Sequence, residues 1–470
     1  MIRRCLPALF AGAALTLARA SDLDTIGLTT LLESHPELTG NGQIVAQAEA
    51  DVGGGAFEVN PSSVGLSSSF FTYFNTSNPY PTGTGFSATL ESGHADEVGA
   101  HLYGSGTGVV SGVSAAQNFE ASYFYNTIVV NQTAISAPIV NQSFVFSNTD
   151  SATISTVSRV YDSYANLYGT LFVNGLNNGS GSLTNAPASM YNGIAVGRMD
   201  GQHSGQALIV APGSATSFAT PYVTGAAVLL RQAAAAGDFG ALSGTNATDS
   251  RLLKAGLLNG ATKTSGWSHT STAPLDATYG SGVLNVNDSF NQLAGGQHAF
   301  SVSNTTSRGT ISTSTTFQNG LSASQGWDLR SLAGSHSRDT VNHYFFDLSS
   351  DTGSLSLTAT LTWNSITSAS TDSINNFDLV LVNSTTGSIA WQSTSAAYNV
   401  EQVYLTGLSG AKYDLQVILR GSFSMPATTD TYAVVWSWTS ITAVPESDSV
   451  WMIGAMGFVF ILAKRLRRHT

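Results

Sequence analysis

The chain has 470 residues, 42% of them hydrophobic and only 10% charged, with 47 glycines and a single cysteine. This excludes a disordered chain, which needs low hydrophobicity and high charge, and it excludes a small fold stapled by disulfides. Seven of the 18 basic and two of the 29 acidic residues lie in 1–20 and 444–470, so residues 21–443 carry 11 against 27, a net charge of −16 that repels nucleic acid and anionic lipid.

The first 20 residues read as an address. Arg3 and Arg4 precede an apolar stretch over 6–17, and Ala18-Arg19-Ala20 is a small-x-small cleavage site, the layout of a secretory signal peptide that meets signal peptidase. The one cysteine, Cys5, stands before the apolar stretch, so the mature body has no thiol chemistry. Residues 21–297 alternate strand-like runs (44–48, 139–146, 171–173, 194–197, 207–210) with helix-like ones, the longest over 217–236, with a loop following around 233–240. That order predicts an α/β domain with a mostly parallel sheet covered on both faces. From about 298 serine and threonine dominate and short alternating runs appear at 354–363, 377–382, 402–405, 413–419 and 431–438. They predict an all-β sandwich over 298–443, with the junction near 295–303. The last segment, 444–470, holds an apolar run of 14 residues over 450–463, short of the roughly 20 of a stable span. Lys464, Arg465, Arg467 and Arg468 follow it and should stay cytoplasmic.

The strongest motif is Ala215-Thr216-Ser217-Phe218-Ala219-Thr220-Pro221-Tyr222-Val223-Thr224-Gly225. It resembles the serine motif of the subtilisin-like (S8) peptidases, G-T-S-[MF]-A-x-P-x-V-[AT]-G. Ser217 at a helix start would have free N–H groups and the positive end of the helix dipole beside it, both of which favour an oxyanion. Pro221 is read as tolerated among the early positions of that helix. Gly93-His94-Ala95-Asp96-Glu97-Val98 resembles the S8 histidine motif G-H-G-T-H-V, which makes His94 the base that a weak serine nucleophile requires. Gly40-Asn41-Gly42-Gln43-Ile44-Val45-Ala46-Gln47-Ala48-Glu49 resembles the first S8 strand, and its register puts Glu49 at the acid position. Asp51, two residues on, is the alternative acid. The acid's task is to orient the histidine and stabilise its imidazolium.

Phe172-Val173-Asn174-Gly175-Leu176-Asn177-Asn178-Gly179 resembles the S8 strand V-A-A-A-G-N-x-G, a register that makes Asn177 the side-chain donor to the oxyanion. Ile139-Val140-Asn141-Gln142-Ser143-Phe144 resembles the substrate-lining strand, which implies substrate-binding roles for Asn141 and Ser143. The order acid, His, Ser is the family's order. Residues 444–470, with Val444-Pro445-Glu446, an apolar run and a basic end, resemble the PEP-CTERM sorting signal of Gram-negative bacteria, which is cut by an exosortase-type enzyme; Ser447 stands where a second Pro is usual.

The resemblance therefore implies an exported or envelope-sorted serine endopeptidase acting on protein or peptide substrates, transiently held to the membrane by its C-terminal segment. No inhibitory propeptide of the usual kind fits between Ala20 and the first strand. No cofactor is expected; calcium is common in the family, but no Asp-rich loop with ligand spacing appears and no metal site is assigned. The exchange to Glu49 and the altered histidine flank keep a second reading open, an inactive subtilisin fold acting as an envelope or matrix binding protein. A third reading places glycan binding on Trp363, Trp391, Trp436 and Trp438 of the sandwich.

Overall fold

Ile44–Glu49 is buried along almost its whole length, Gln47 and Glu49 included, the pattern of a strand covered on both faces. The computed structural model describes residues 22–76, 84–147, 150–367, 372–421 and 429–441. The signal-peptide reading of 1–20 and the sorting-signal reading of 444–470 lie outside the described residues. Among those described, no helix is long and apolar enough to cross a membrane.

The α/β part begins with helix α1 (Leu28–Ser34), β1 (Ile44–Glu49), β2 (Phe71–Phe74), α2 (Gly93–Leu102), β3 (Ala115–Glu120) and β4 (Ile139–Gln142). It continues with α3 (Ser151–Tyr168), β5 (Leu171–Gly175), β6 (Asn177–Asn178), β7 (Ile194–Arg198), β8 (His203–Ser204), β9 (Ile209–Ala211), α4 (Thr216–Ala236), α5 (Ser250–Gly260) and α6 (Val286–Ala294). Seven strands form one sheet in the order β2-β3-β1-β4-β5-β7-β9, with all its paired strands parallel. Parallel neighbours need crossover connections, and α2 and α3 are two of them.

Helix α4 is buried without interruption from Ala219 to Leu230, so it is a core helix and not an amphipathic one. It lies between the sheet and α5 and carries Ser217 in its first turn. Residues 233–236, read from sequence as the start of a loop, complete the helix, which Gly237 closes at φ 92°. Pro221 is the sixth helical residue, beyond the four positions whose N–H groups lack helical partners. Its missing N–H leaves the Ser217 carbonyl without its i+4 donor, and the Ser143 hydroxyl donates to that carbonyl at 2.8 Å. Pro221 is thus tolerated because another strand supplies the bond, which corrects the expectation that its position alone allows it. The same contact explains why β4 ends at Gln142 and not at 146: the chain leaves the sheet at Ser143 to meet α4.

In the second part the named strands all pair antiparallel. Its strands are β10 (Val302–Ser307), β11 (Gln325–Ala333), β12 (Arg338–Asp347), β13 (Ser354–Trp363), β14 (Ile366–Thr367), β15 (Asp372–Ser373), β16 (Phe377–Asn383), β17 (Ser388–Ser393), β18 (Val400–Leu408), β19 (Lys412–Leu419) and β20 (Thr429–Ile441). A five-stranded sheet, β10-β12-β19-β16-β17, faces a four-stranded one, β11-β20-β13-β18. Trp363, Trp436 and Trp438 fill the core between them, which leaves Trp391 as the partly exposed member of the four tryptophans. The outer side of the smaller sheet packs on α5: Thr360 Oγ1 donates to Asn259 Oδ1 at 2.9 Å, and Thr362 Oγ1 to the Arg251 carbonyl at 2.8 Å. Trp327 on β11 sits in the α/β core and donates to the carbonyls of Phe239 and Leu293, both at 3.0 Å.

Candidate active site

Three chain segments meet at the C-terminal end of the parallel sheet, where such sheets place their functional groups. The first is the end of β1. Glu49 is fully buried there, and a buried carboxylate has to be hydrogen-bonded or ionically paired. Its Oε1 accepts from Gln47 Nε2 at 2.8 Å and its Oε2 lies 2.9 Å from His94 Nδ1.

The second segment is the start of α2. Ser92 caps the helix, its hydroxyl accepting from the Ala95 amide at 3.3 Å, and so aims the first turn at the end of β1. His94 stands in that turn with a third of its side chain exposed. An ionised carboxylate only accepts, so the Nδ1 facing Glu49 carries the proton and Nε2 is left with its lone pair. The hydrogen bond to Glu49 raises the His94 pKa above the ordinary 6.5, burial opposes this, and the charges of Glu49 and Glu97 add to the rise.

The third segment is the turn into α4. Gly213, at φ 151°, passes so close to the helix that a Cβ would stand 2.8 Å from the Ala219 amide nitrogen. This tight entry sets Ala215 as N-cap and Ser217 as the second helical residue. The amides of Phe218 and Ala219 both return to the Ala215 carbonyl, at 3.0 and 3.1 Å, and the Thr216 amide donates to Asn178 Oδ1 at 2.9 Å. The Ser217 amide has no acceptor among the described residues. An orphan N–H at the positive end of a helix attracts an anion. The Ser217 hydroxyl donates to the Ser143 carbonyl at 3.2 Å, and no hydrogen bond joins it to His94. The first turn of α4 comes close to His94, since the ring of Phe218, next in the chain to Ser217, lies 5.7 Å from that of His94.

Glu49 and His94 are therefore directly joined, and the first turn of α4, which carries Ser217, approaches them through Phe218. Asp51 is turned elsewhere: exposed, it accepts from the amides of Gly53 at 2.7 Å and Gly55 at 2.9 Å and closes its own glycine turn. Asn177 is exposed and pairs through its backbone with Ser204. Its neighbour Asn178, which the sequence register did not single out, is the one that touches the start of α4. A doubled asparagine before a glycine was the available signal, and spacing alone does not choose between the two. Asn141 and Ser143 lie beneath the site and are buried. Asn141 Nδ2 donates to Ser143 Oγ at 2.9 Å and its Oδ1 accepts from Thr224 at 2.8 Å, so both tie β4 to α4. Ser143→Ala should lower stability by about 1–3 kcal/mol, because the Ser217 carbonyl loses its donor; a reduced Tm in thermal unfolding checks this. Among the described residues no group of three or more His, Cys, Asp or Glu side chains is arranged to hold a metal.

No protein-family model and no curated protein matches the chain. Among solved structures it resembles a protease from Pseudoalteromonas arctica PAMC 21717, at 14% identity and TM-score 0.40 over 57% of this chain and 94% of that one. It also resembles the patellamide maturation protease PatA, at 19% identity and TM-score 0.34 over 55% of this chain and 98% of that one. The self-cleaved protease domain of PatA gives 19% identity and TM-score 0.35 over 55% and 99%. These neighbours are proteases.

Proposed function

We propose that the protein is a subtilisin-like serine endopeptidase working through Glu49, His94 and Ser217. The observation that supports it best is the Glu49–His94 bond of 2.9 Å near the first turn of α4, where the Ser217 amide has no acceptor among the described residues. In this reading the Ser217 hydroxyl turns from the Ser143 carbonyl to His94 Nε2 as substrate enters. Its oxygen attacks the peptide carbonyl carbon while its proton passes to Nε2, and Glu49 balances the imidazolium without taking the Nδ1 proton. The C–N bond breaks as His94 returns the proton to the departing amine. Water, deprotonated by the same nitrogen, then releases the acyl group from Ser217.

The Ser217 amide is one oxyanion donor. The second comes from the asparagine pair: the sequence register names Asn177, and the bond from the Thr216 amide favours Asn178, whose oxygen is held while its NH₂ remains to donate. Asn178→Ala should lower kcat by about 10²–10³ with KM nearly unchanged, and Asn177→Ala should cost only a few-fold. Steady-state kinetics on one peptide substrate separate the two, and the reverse ranking returns the role to Asn177.

Export by signal peptidase, sorting by an exosortase-type enzyme in a Gram-negative envelope, and release from a transient membrane anchor belong to the same proposal and rest on the terminal segments. The inactive binding fold is the second reading, and one observation favours it: the Ser217 hydroxyl is bonded to Ser143 and not to His94. A fluorophosphonate probe decides. Labelling on the peptide that contains Ser217 supports the peptidase; a folded protein that takes no label supports the binding fold.

A further inference from the structure

We infer that Gln47 and Tyr103 are positioning residues that clamp the Glu49 carboxylate onto His94, so that the base is tuned from behind the acid. The inference rests on the peptidase reading and adds to it the device that makes a glutamate serviceable there. Gln47 and Glu49 are two apart on β1 and share a face. The Gln47 side chain is fully buried, and each of its three polar positions is engaged. Its Nε2 gives one hydrogen to Glu49 Oε1 at 2.8 Å and the other to the Ala95 carbonyl at 3.0 Å. Its Oε1 accepts from the Tyr103 hydroxyl. One amide therefore holds the free oxygen of the acid and the backbone of the residue that follows the base.

The chemistry fixes which way this amide points. Turned over, its oxygen would face a carboxylate and a carbonyl, acceptors both, and its NH₂ would face a phenol. Tyr103 is fully buried. Burial first, and the Glu49 charge second, push its phenol far up, so it stays a donor wherever the protein is folded. Donation then converges on the acid from two sides: Tyr103 to Gln47 and Gln47 to Glu49 Oε1 on one, His94 to Glu49 Oε2 on the other. A glutamate has one more side-chain torsion than an aspartate, and Gln47 removes that freedom. The other charged groups nearby are Glu97 on α2, Asp96 near Tyr103, and Glu120 of β3, whose two oxygens are held by the amides of Ser122 at 2.8 Å and Tyr123 at 2.7 Å. The first turn of α4, Thr216 to Ala219, contains no charged residue.

The test is the rate of fluorophosphonate inactivation of the full chain against pH, for wild type, Gln47→Met and Tyr103→Phe. Reaction needs neutral His94, so the rate rises with pH through the His94 pKa. Gln47→Met should lower the plateau about tenfold or more and move the rising limb to lower pH, because His94 loses the well-aligned carboxylate that raised it. Tyr103→Phe should move both in the same direction by less. A lower plateau with an unmoved limb would mean a merely structural role and overturns the inference, as does no change in either. The His94 Nδ1–H resonance at low field, followed by proton NMR in the Ser217→Ala background, needs no catalysis. If wild type takes no label but that resonance is present and shifts in Gln47→Met, the clamp stands and the peptidase reading falls. If wild type is labelled and neither readout moves, the clamp falls alone. Should Gln47→Met fail to fold, the limb and the resonance in Tyr103→Phe decide.

Discussion

Ser217→Ala should abolish peptide hydrolysis, with kcat falling by about 10⁵–10⁶-fold, while the fold survives. The two halves of that expectation have separate physical grounds. The hydroxyl makes one hydrogen bond, to the Ser143 carbonyl at 3.2 Å, and a neutral bond of this kind contributes about 1 kcal/mol. The bond that matters for α4 runs the other way, from the Ser143 hydroxyl to the Ser217 backbone carbonyl, and alanine keeps it. Thermal unfolding of wild type and variant should therefore nearly coincide. The catalytic loss is large because the nucleophile cannot be replaced: the Ser217 amide and the asparagine donor remain, but they stabilise an oxyanion that no longer forms through covalent attack. Cleavage of a fluorescent casein at equal protein concentration measures it. Equal activity in both proteins would assign any hydrolysis to a contaminant and move the site to the inactive reading.

How the sequence conveyed this site depended on what held each part. The places of Ser217 and His94 were legible because local backbone fixes them: one opens a buried helix behind a glycine turn, the other sits in a capped first turn. Glu49 was legible as one of two acids, and only the three-dimensional path of the chain separated it from Asp51, whose carboxylate is absorbed by a turn of glycine amides two and four residues on. Asn141 and Ser143 were read as substrate-binding because residues 139–144 resemble the S8 substrate-lining strand. Their atoms point down to α4, and the need for Ser143 arises from Pro221, 78 positions later in the chain. A sequence motif records both residues without recording that one compensates the other. Gln47 gave no signal at all, since a glutamine in a strand pattern resembles a tolerated polar residue.

The fold shows the same division. The strands that carry apolar runs, such as β5 and β7, and those that alternate, such as β13 and β19, were visible in the residue pattern. β3 (Ala115–Glu120, sequence AAQNFE) was not, because alanine, glutamine, asparagine and glutamate are poor strand formers. It is a strand because it pairs with β1 from Ile44 to Glu49 on one side and with β2 on the other. β12 was hidden for a different reason. It is buried on both sides from Val341 to Phe346, polar Asn342 and His343 included, so the alternation of an exposed antiparallel strand is missing. His343 is admitted to that interior by Asp414 of the neighbouring β19, 2.8 Å from its Nδ1, a partner remote in sequence.

Glu49→Gln is the substitution that separates the proposed mechanism from a chance neighbourhood of side chains. It changes one atom, keeps the volume and removes the charge. Its kcat should fall by about 10³–10⁴-fold, and Asp51→Asn by no more than a few-fold. The reason lies in the tautomer. The carboxylate can only accept, and so holds the proton on Nδ1 and the lone pair on Nε2; a carboxamide can equally present N–H to Nδ1, which puts the proton on Nε2, where no base remains for Ser217. The pH profile supplies the second sign. In wild type the Glu49 hydrogen bond raises the His94 pKa above its ordinary value, so activity appears as pH rises through that raised value. Without the carboxylate the rise is lost, and the residual activity of Glu49→Gln should appear at lower pH than in wild type. Stability follows the same group in the opposite sense. A histidine whose folded pKa is raised stabilises the fold below its unfolded pKa, and that contribution disappears as pH climbs through the folded one. Wild type should therefore lose a small increment of stability between the ordinary histidine pKa and the raised value, and Glu49→Gln should not. A Glu49→Gln protein with near-wild-type kcat and an unmoved profile would remove Glu49 from the mechanism, and a collapse confined to Asp51→Asn would transfer the role to a carboxylate that the free protein keeps on its own turn.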